Sequence, residues 1–158
     1  MQSQEMRELV ADEKLECVIM HMQGTPKTMQ LNPKYENVVS DITTFFVERI
    51  ASCEQAGIHP QNIILDPGIG FGKTTQHNLD ILRNIDKFEL GKRLLIGASR
   101  KSFIGKILQN EEHPLPPEQR LEGSLAVATY CALKGVDILR VHDVKETIKA
   151  VKVAEVLK

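Results

Sequence analysis

The apolar run Ile63-Ile64-Leu65 leads directly into Asp66-Pro67-Gly68-Ile69-Gly70-Phe71-Gly72-Lys73, and few folds accept that junction. Glycine admits positive φ and close backbone approach, while Pro67 forces Asp66 into an extended conformation. The stretch therefore reads as a buried strand that ends in a sharp, crowded turn. It sets a carboxylate at the mouth of the strand, with an aromatic ring and an ammonium a few residues on. Such a junction is half of a small-molecule site, and the other half has to come from elsewhere in the chain.

The flanking pattern repeats the theme. A charged segment over residues 4–14 carries Met6, Leu9, Val10 and Ala11 at helical spacing. Cys17 to Met22 is a short apolar strand, broken by Gln23-Gly24-Thr25-Pro26-Lys27. Asn32-Pro33 reads as a helix cap, followed by Tyr35, Val38, Val39, Ile42, Phe45, Phe46, Arg49, Ile50 and Cys53 on the 3.6 period and a stop at Gly57. After the second strand, 62–65, Thr75 caps a helix bearing Leu79, Ile81, Leu82 and Ile85. A third strand, Leu94 to Ala98, runs into Ser99-Arg100-Lys101-Ser102 and a helix of one or two turns. Residues 109–119 are an acidic, Pro-rich loop; Leu121 to Lys134 is an apolar helix closed by Gly135. Ile138 to His142 is the fourth strand. Asp143 and Glu146 form a capping-box pattern for a last helix striped with Val144, Ile148, Val151 and Leu157.

Strands separated by helices, with no hairpin signals between them, predict a parallel sheet with right-handed crossovers. Apolar character on both strand faces predicts cover by helices. A small open α/β sheet of four strands and part of an eight-stranded β/α barrel both fit; spacing alone does not choose. The 158 residues have the length of one domain, and a formal net charge of −1 gives no global attraction to nucleic acid or anionic membrane. No apolar run approaches the ~20 residues of a membrane span, and residues 1–5 lack the plan of a signal peptide. Cys17, Cys53 and Cys131 sit far apart in apolar patterns and read as reduced core thiols of a cytoplasmic protein.

In parallel α/β folds ligands bind beyond the carboxyl ends of the strands. Those ends hold Met20 to Met22, Asp66, Ser99 to Ser102, and Arg140 with His142. Asp66 suits a ligand that presents two parallel N–H groups, as a 2-aminopyrimidinone does; the competing reading is a carboxylate capping its own turn. Phe71 is as well suited to core packing as to a ligand, and Lys73 reads as a solvated surface lysine. The loop is not a Walker loop, because the required glycine spacing is absent. Lys101 could donate to a ligand carbonyl or ring nitrogen and Ser102 hold a carboxylate, against an N-cap serine with surface charges. Arg140 and His142, two apart, share a face; a buried Arg140 needs an anion, either phosphate or an internal carboxylate at Asp66 or Asp143. His21 reads as structural, and no cluster makes a protein-only metal site.

The chain resembles the C-terminal half of dihydropteroate synthases. The matching pieces are Met20 to Met29, Asp66 to Lys73 with His77-Asn78-Leu79, Gly97 to Gly105, Gly123 to Ala126, and Arg140-Val141-His142-Asp143. The resemblance implies a parallel (β/α)8 TIM-type barrel, of which residues 1–158 would be one pterin-binding domain holding the last four β/α units. It implies condensation of 6-hydroxymethyl-7,8-dihydropterin diphosphate with 4-aminobenzoate in folate biosynthesis, a cytoplasmic homodimer, sulfonamide binding, and Mg²⁺ held by the half not present. Asp66, Lys101, Met20, Phe71 and Gly70 would bind the pterin. Ser102 would bind the 4-aminobenzoate carboxylate, Arg140 and His142 the diphosphate, and Lys101, Arg140 and His142 would be catalytic. A binding module or partner subunit without catalysis, or a related methyltetrahydrofolate-binding methyltransferase, are the alternatives.

Overall fold

A computed structural model describes residues 3–24, 29 and 33–157. The expected Asn32 cap and the Thr25 to Thr28 part of the first motif lie outside these residues.

The chain alternates helix and strand throughout. Helix α1 (Gln4–Asp12) is capped by the Ser3 hydroxyl, which accepts from the Met6 N–H. Strand β1 (Cys17–Met20) is followed by α2 (Val38–Gln55), β2 (Ile63–Asp66), α3 (Thr75–Arg83), β3 (Arg93–Ile96) and α4 (Ser102–Leu108). Helix α5 (Leu121–Leu133), β4 (Ile138–Leu139) and α6 (Val144–Val156) complete it, with short 3-10 turns at Pro60–Asn62, Ile85–Phe88 and Pro117–Gln119. The strands form one parallel sheet in the order β1-β2-β3-β4. When spatial order equals chain order and crossovers share one hand, the helices lie on one face. Successive helices accordingly touch: α2 meets α3, α3 meets α4, α4 meets α5 and α5 meets α6. This is the winding of a barrel wall rather than a doubly wound sheet, whose strand order reverses.

The core lies between sheet and helices. Cys17, Ile19, Ile63, Leu65, Leu94 and Ile96, alternate residues of their strands, pack with Ile42, Phe46, Ile81, Ile85 and Phe88. The Phe46 and Phe88 rings meet edge to face at 6.0 Å. The other face of the sheet carries Val18, Met20, Ile64 and Asp66. Val18, on the outer strand, is 39 % exposed there. All three cysteines are buried free thiols, and burial pushes the Cys131 thiol up to about 12, so they serve as small core residues.

Several local expectations need correction. Helix α2 starts at Val38 with Asn37 as cap, its Oδ1 accepting from the Val39 and Ser40 N–H groups. Tyr35 is therefore outside the helix; its hydroxyl instead reaches the Gly72 carbonyl at 2.9 Å. Thr74, not Thr75, caps α3, paired reciprocally with His77. β1 and β3 stop short at Met20 and Ile96, and β4 has two residues rather than five, although Arg140 N–H adds one more ladder bond to the Ile96 carbonyl at 3.0 Å. Asp143 does precede α6 but makes no capping bond through its side chain. Its carboxylate is taken by a bidentate pair with Arg100, Nε–Oδ2 2.9 Å and Nη2–Oδ1 2.6 Å, a stronger interaction than a cap. The α6 stripe has the right period, but Val144, Ile148 and Leu157 are exposed rather than packed on the sheet.

Candidate active site at the strand ends

Asp66 ends β2 opposite Met20 of β1, and its side chain is 1 % exposed. One carboxylate oxygen accepts from the Gly68 N–H at 2.8 Å, and the other meets the Arg140 guanidinium at 3.1 Å. Burial raises the Asp66 pKa; the Gly68 bond and the charges of Arg140, Lys101 and Lys73 pull it back. Both readings of Asp66 thus meet in one group. It caps its own turn with one oxygen and turns the other toward the strand-end cations.

The glycine loop is pinned at almost every peptide. Phe71 N–H returns to the Gly68 carbonyl at 3.0 Å. Gly70 N–H donates to Asn78 Oδ1 at 2.7 Å, and Asn78 is itself buried and anchored on the Thr74 carbonyl at 2.8 Å. The Lys101 ammonium donates to the Ile69 carbonyl and stands 3.9 Å from the Phe71 ring centroid. A Cβ on Gly70 would lie 2.8 Å from Lys101 Cδ, so the bare Cα lets that lysine cross the loop. Lys73 closes the loop from behind: its ammonium donates to the Phe71 carbonyl at 3.0 Å and lies 3.1 Å from His21 Nδ1.

Lys73 is the main departure from expectation. Rather than being solvated, it is 4 % exposed. Burial, opposed by Asp66, brings its pKa down to about 7, and burial brings Lys101 down to about 8. His21 is structural as expected, buried edge-on against Phe45 at 5.0 Å. Burial and the Lys73 charge take its pKa to about 4, so it faces Lys73 as a neutral acceptor.

Of the sequence-selected residues, Asp66, Gly70, Phe71, Lys101 and Arg140 form one connected group, with Met20 beside Asp66. Arg140 is not buried. Its side chain is 54 % exposed, because β4 is the outer strand, and of the two internal carboxylates considered it takes Asp66. His142 is exposed and joins a different cluster: its N–H and Nδ1 lie 3.3 and 3.0 Å from the buried Ser99 hydroxyl. Ser102 opens α4 on the surface, with Lys101 rather than a serine in the cap position. Arg100 has φ 57°. Its backbone is held by Ser124 Oγ on the N–H at 2.9 Å and by the buried Arg120 on the carbonyl at 2.7 Å. Sequence reasoning missed Arg120 and the Lys73–His21 pair, and named Asn78 only within the family motif without a task; each acts across loops, where no periodicity signals a contact. Among the described residues no group of three or more His, Cys, Asp or Glu side chains is placed to hold a metal. No helix among them is long and apolar enough to cross a membrane.

A buried carboxylate, flanked by an aromatic ring and three cations at the carboxyl ends of parallel strands, defines a small-molecule site of the barrel type. The family described as "Pterin binding enzyme" matches residues 1–142, and the chain belongs to it. It is 48 % identical over 149 residues to the dihydropteroate synthase of Escherichia coli, covering 94 % of this chain and 51 % of that one. It is 49 % identical over 140 residues to that of Haemophilus influenzae, covering 88 % and 49 %. The chain thus spans about half the length of the curated relatives it matches. Its fold is similar to the Yersinia pestis dihydropteroate synthase solved as a sulfonamide drug complex, with TM-score 0.89, 42 % identity and 96 % and 54 % coverage. It is likewise similar to the Thermus thermophilus enzyme in complex with 6HMPPP, with TM-score 0.90, 38 % identity and 99 % and 61 % coverage. Both are barrel enzymes of which this four-stranded sheet matches about half, which decides between the open sheet and the partial barrel.

Proposed function

We propose that this chain supplies the C-terminal half of a dihydropteroate synthase barrel, a transferase of folate biosynthesis. It would join 6-hydroxymethyl-7,8-dihydropterin diphosphate to 4-aminobenzoate with release of diphosphate. The observation that carries the reading is Asp66: a buried carboxylate at a strand end whose free lone pairs match the amino and ring N–H edge of a pterin. Phe71 and Met20 flank the ring, Gly70 admits close approach, and Lys101 meets the opposite edge. Arg140 moves from Asp66 Oδ2 to the diphosphate, a displacement that its exposed side chain permits, and His142 joins it from the Ser99 cluster. Ser102, at the solvent-facing start of α4, takes the 4-aminobenzoate carboxylate.

In the reaction the methylene C–O bond breaks with its electron pair leaving on the diphosphate. The amine nitrogen of 4-aminobenzoate bonds to the same carbon and then loses a proton. Fixed cations at the departing oxygen stabilise the charge that grows there, and the protein otherwise positions the two substrates. Full activity requires the remaining half of the barrel, which the relatives carry, together with Mg²⁺. A cytoplasmic homodimer and sulfonamide binding belong to the same proposal.

Calorimetric titration with the pterin diphosphate tests the reading. Asp66→Asn should weaken binding by about 100-fold or more, since it exchanges an acceptor for a donor against the ligand's N–H edge, while the far-UV spectrum stays unchanged. Unchanged pterin affinity in Asp66→Asn removes Asp66 from the site and the reading with it.

A further inference from the structure

Lys73 is left without a task by the proposed reaction, yet it is among the most costly side chains in the molecule. A lysine in the water-facing part of a loop costs nothing; one that is 4 % exposed gives up its hydration. The contacts it gains are a neutral imidazole, a peptide carbonyl and the Tyr35 ring, whose centroid is 6.0 Å from the ammonium. None of them returns a negative charge.

The charged and titratable groups around it come from every neighbouring element. His21 stands at the end of β1, and Tyr35 precedes α2, with His77 of α3 edge-on to its ring at 4.9 Å. Asp66 ends β2, Lys101 precedes α4, and Arg140 follows β4 on the far side of Asp66. Asp66 is the only one of these that attracts the Lys73 charge; Lys101 repels it.

Asp66 stands among three cations: Arg140 lies on its Oδ2 at 3.1 Å, Lys101 crosses the loop beside it, and the Lys73 ammonium is 3.5 Å from the position of a Cβ on Gly68, whose N–H holds Asp66 Oδ1 at 2.8 Å. They differ in how firmly they are held. Arg140 is half in solvent, and Lys101 lies across the loop at the ligand side. Lys73 alone of the three is buried and held from two directions, by β1 through His21 and by its own loop through Phe71. Arg140 cannot neutralise Asp66 and grip a diphosphate at once. Once it leaves, the buried carboxylate must stay ionised on what remains.

We propose that Lys73 is a positioning residue: a fixed, buried counter-charge that keeps Asp66 ionised while Arg140 and Lys101 engage the ligand, and that holds the Phe71 carbonyl, and so the Phe71 ring, in place. The proposal rests on the reading of Asp66 as the pterin-gripping carboxylate, and its first test is independent of any ligand. The side-chain carboxyl ¹³C resonance of Asp66, assigned by its loss in Asp66→Asn, is followed against pH in the 158-residue chain, in Lys73→Met and in Lys73→Arg. Lys73→Met should move the Asp66 midpoint up by about one pH unit, the ordinary effect of removing a nearby opposite charge, and Lys73→Arg should restore it. An unchanged midpoint in Lys73→Met overturns the proposal.

Where Lys73→Met does not fold, the wild-type chain decides. The Asp66 resonance should show a second inflection at the pH where Lys73 loses its proton, and its absence overturns the coupling. The second arm is affinity for the pterin diphosphate between pH 5 and 8. The acid limb should rise by the same one unit in Lys73→Met; a uniform loss at every pH would mark a merely structural lysine and overturn the proposal. A wild-type chain that binds no pterin shows that this half alone does not form the pterin site, while the resonance measurement still decides on Lys73.

Discussion

Gly68 and Gly91 share the same left-handed φ, 68° in each, and have opposite surroundings, which makes them a controlled pair. A Cβ on Gly91 would meet nothing within 4 Å; a Cβ on Gly68 would lie 1.9 Å from the His21 carbonyl oxygen and 3.0 Å from its carbon. Replacing either by alanine costs the left-handed penalty, about 1 to 2 kcal/mol. Each also gains about the same small amount from a stiffer unfolded chain, so both terms cancel in the comparison. What remains is the clash. The atom in the way is backbone, and its residue is tied into the sheet by a His21 N–H bond to the Asp66 carbonyl at 2.9 Å. Relief therefore requires strand and loop to part, which adds about 1 to 3 kcal/mol or more.

Gly91→Ala should thus lower the unfolding free energy by about 1 to 2 kcal/mol, and Gly68→Ala by about 2 to 5 kcal/mol once the clash is added. For a chain of this size the difference between the two is a melting-temperature gap of roughly 2 to 12 °C. Urea titrations of the two variants beside the wild type measure it. Equal losses would show that the β1 end and the glycine loop are not locked together as described, and the account of how Asp66 is positioned would fall with that lock.

Four further outcomes follow from the same geometry. Lys73 and Lys101 hold their protons less well folded than unfolded, so the unfolded chain binds more protons above pH 7. Stability should rise between pH 7 and 8 by up to about 1.4 kcal/mol per pH unit for each lysine. Tyr35, raised to about 12, stays clear of that window. The buried thiols, Cys131 raised to about 12 and Cys17 and Cys53 raised with it, act in the opposite sign as the unfolded thiols ionise at about 8.5, so the comparison is made between pH 7 and 8, where a flat urea midpoint refutes the burial of Lys73. Arg120→Met should cost about 2 to 4 kcal/mol in thermal unfolding, because the Leu115 and Arg100 carbonyls both lose their donor. Asn78→Ala should remove the Asn78 acceptor from the Gly70 N–H and speed its amide exchange by about tenfold; unchanged protection would show that the Asn78 bond does not hold the loop. Arg140→Ala should leave the far-UV spectrum intact and chiefly reduce diphosphate-dependent binding, and wild-type affinity for the pterin diphosphate would make Arg140 structural.

The parts of the site that could be read from the sequence were those written in one strand and its exit. The Ile63 to Leu65 run, the glycines and Pro67 dictate a buried strand and a tight turn by local chemistry alone, and Asp66 had to stand at the mouth. The same holds for Arg140, directly after the apolar strand β4, and for Lys101, in the short junction between β3 and α4. What could not be read depended on where two distant segments meet. Lys73 looks solvated because its loop sequence alone carries no sign of burial; the contacts that bury it include His21, 52 residues away, and Tyr35. Tyr35 itself fits the helical period of α2, yet Asn37 caps the helix after it and the Tyr35 hydroxyl is taken by the Gly72 carbonyl. Asp143 carries a sound capping pattern, yet Arg100, 43 residues away, outbids the helix for its carboxylate. The α6 stripe marks the limit from the other side: its spacing is helical and its apolar residues are real, but Val144 and Ile148 beside the outer strand β4 have no packing partner among the described residues that buries them. Periodicity reports which face of a helix is apolar; only the neighbouring element decides whether that face is covered.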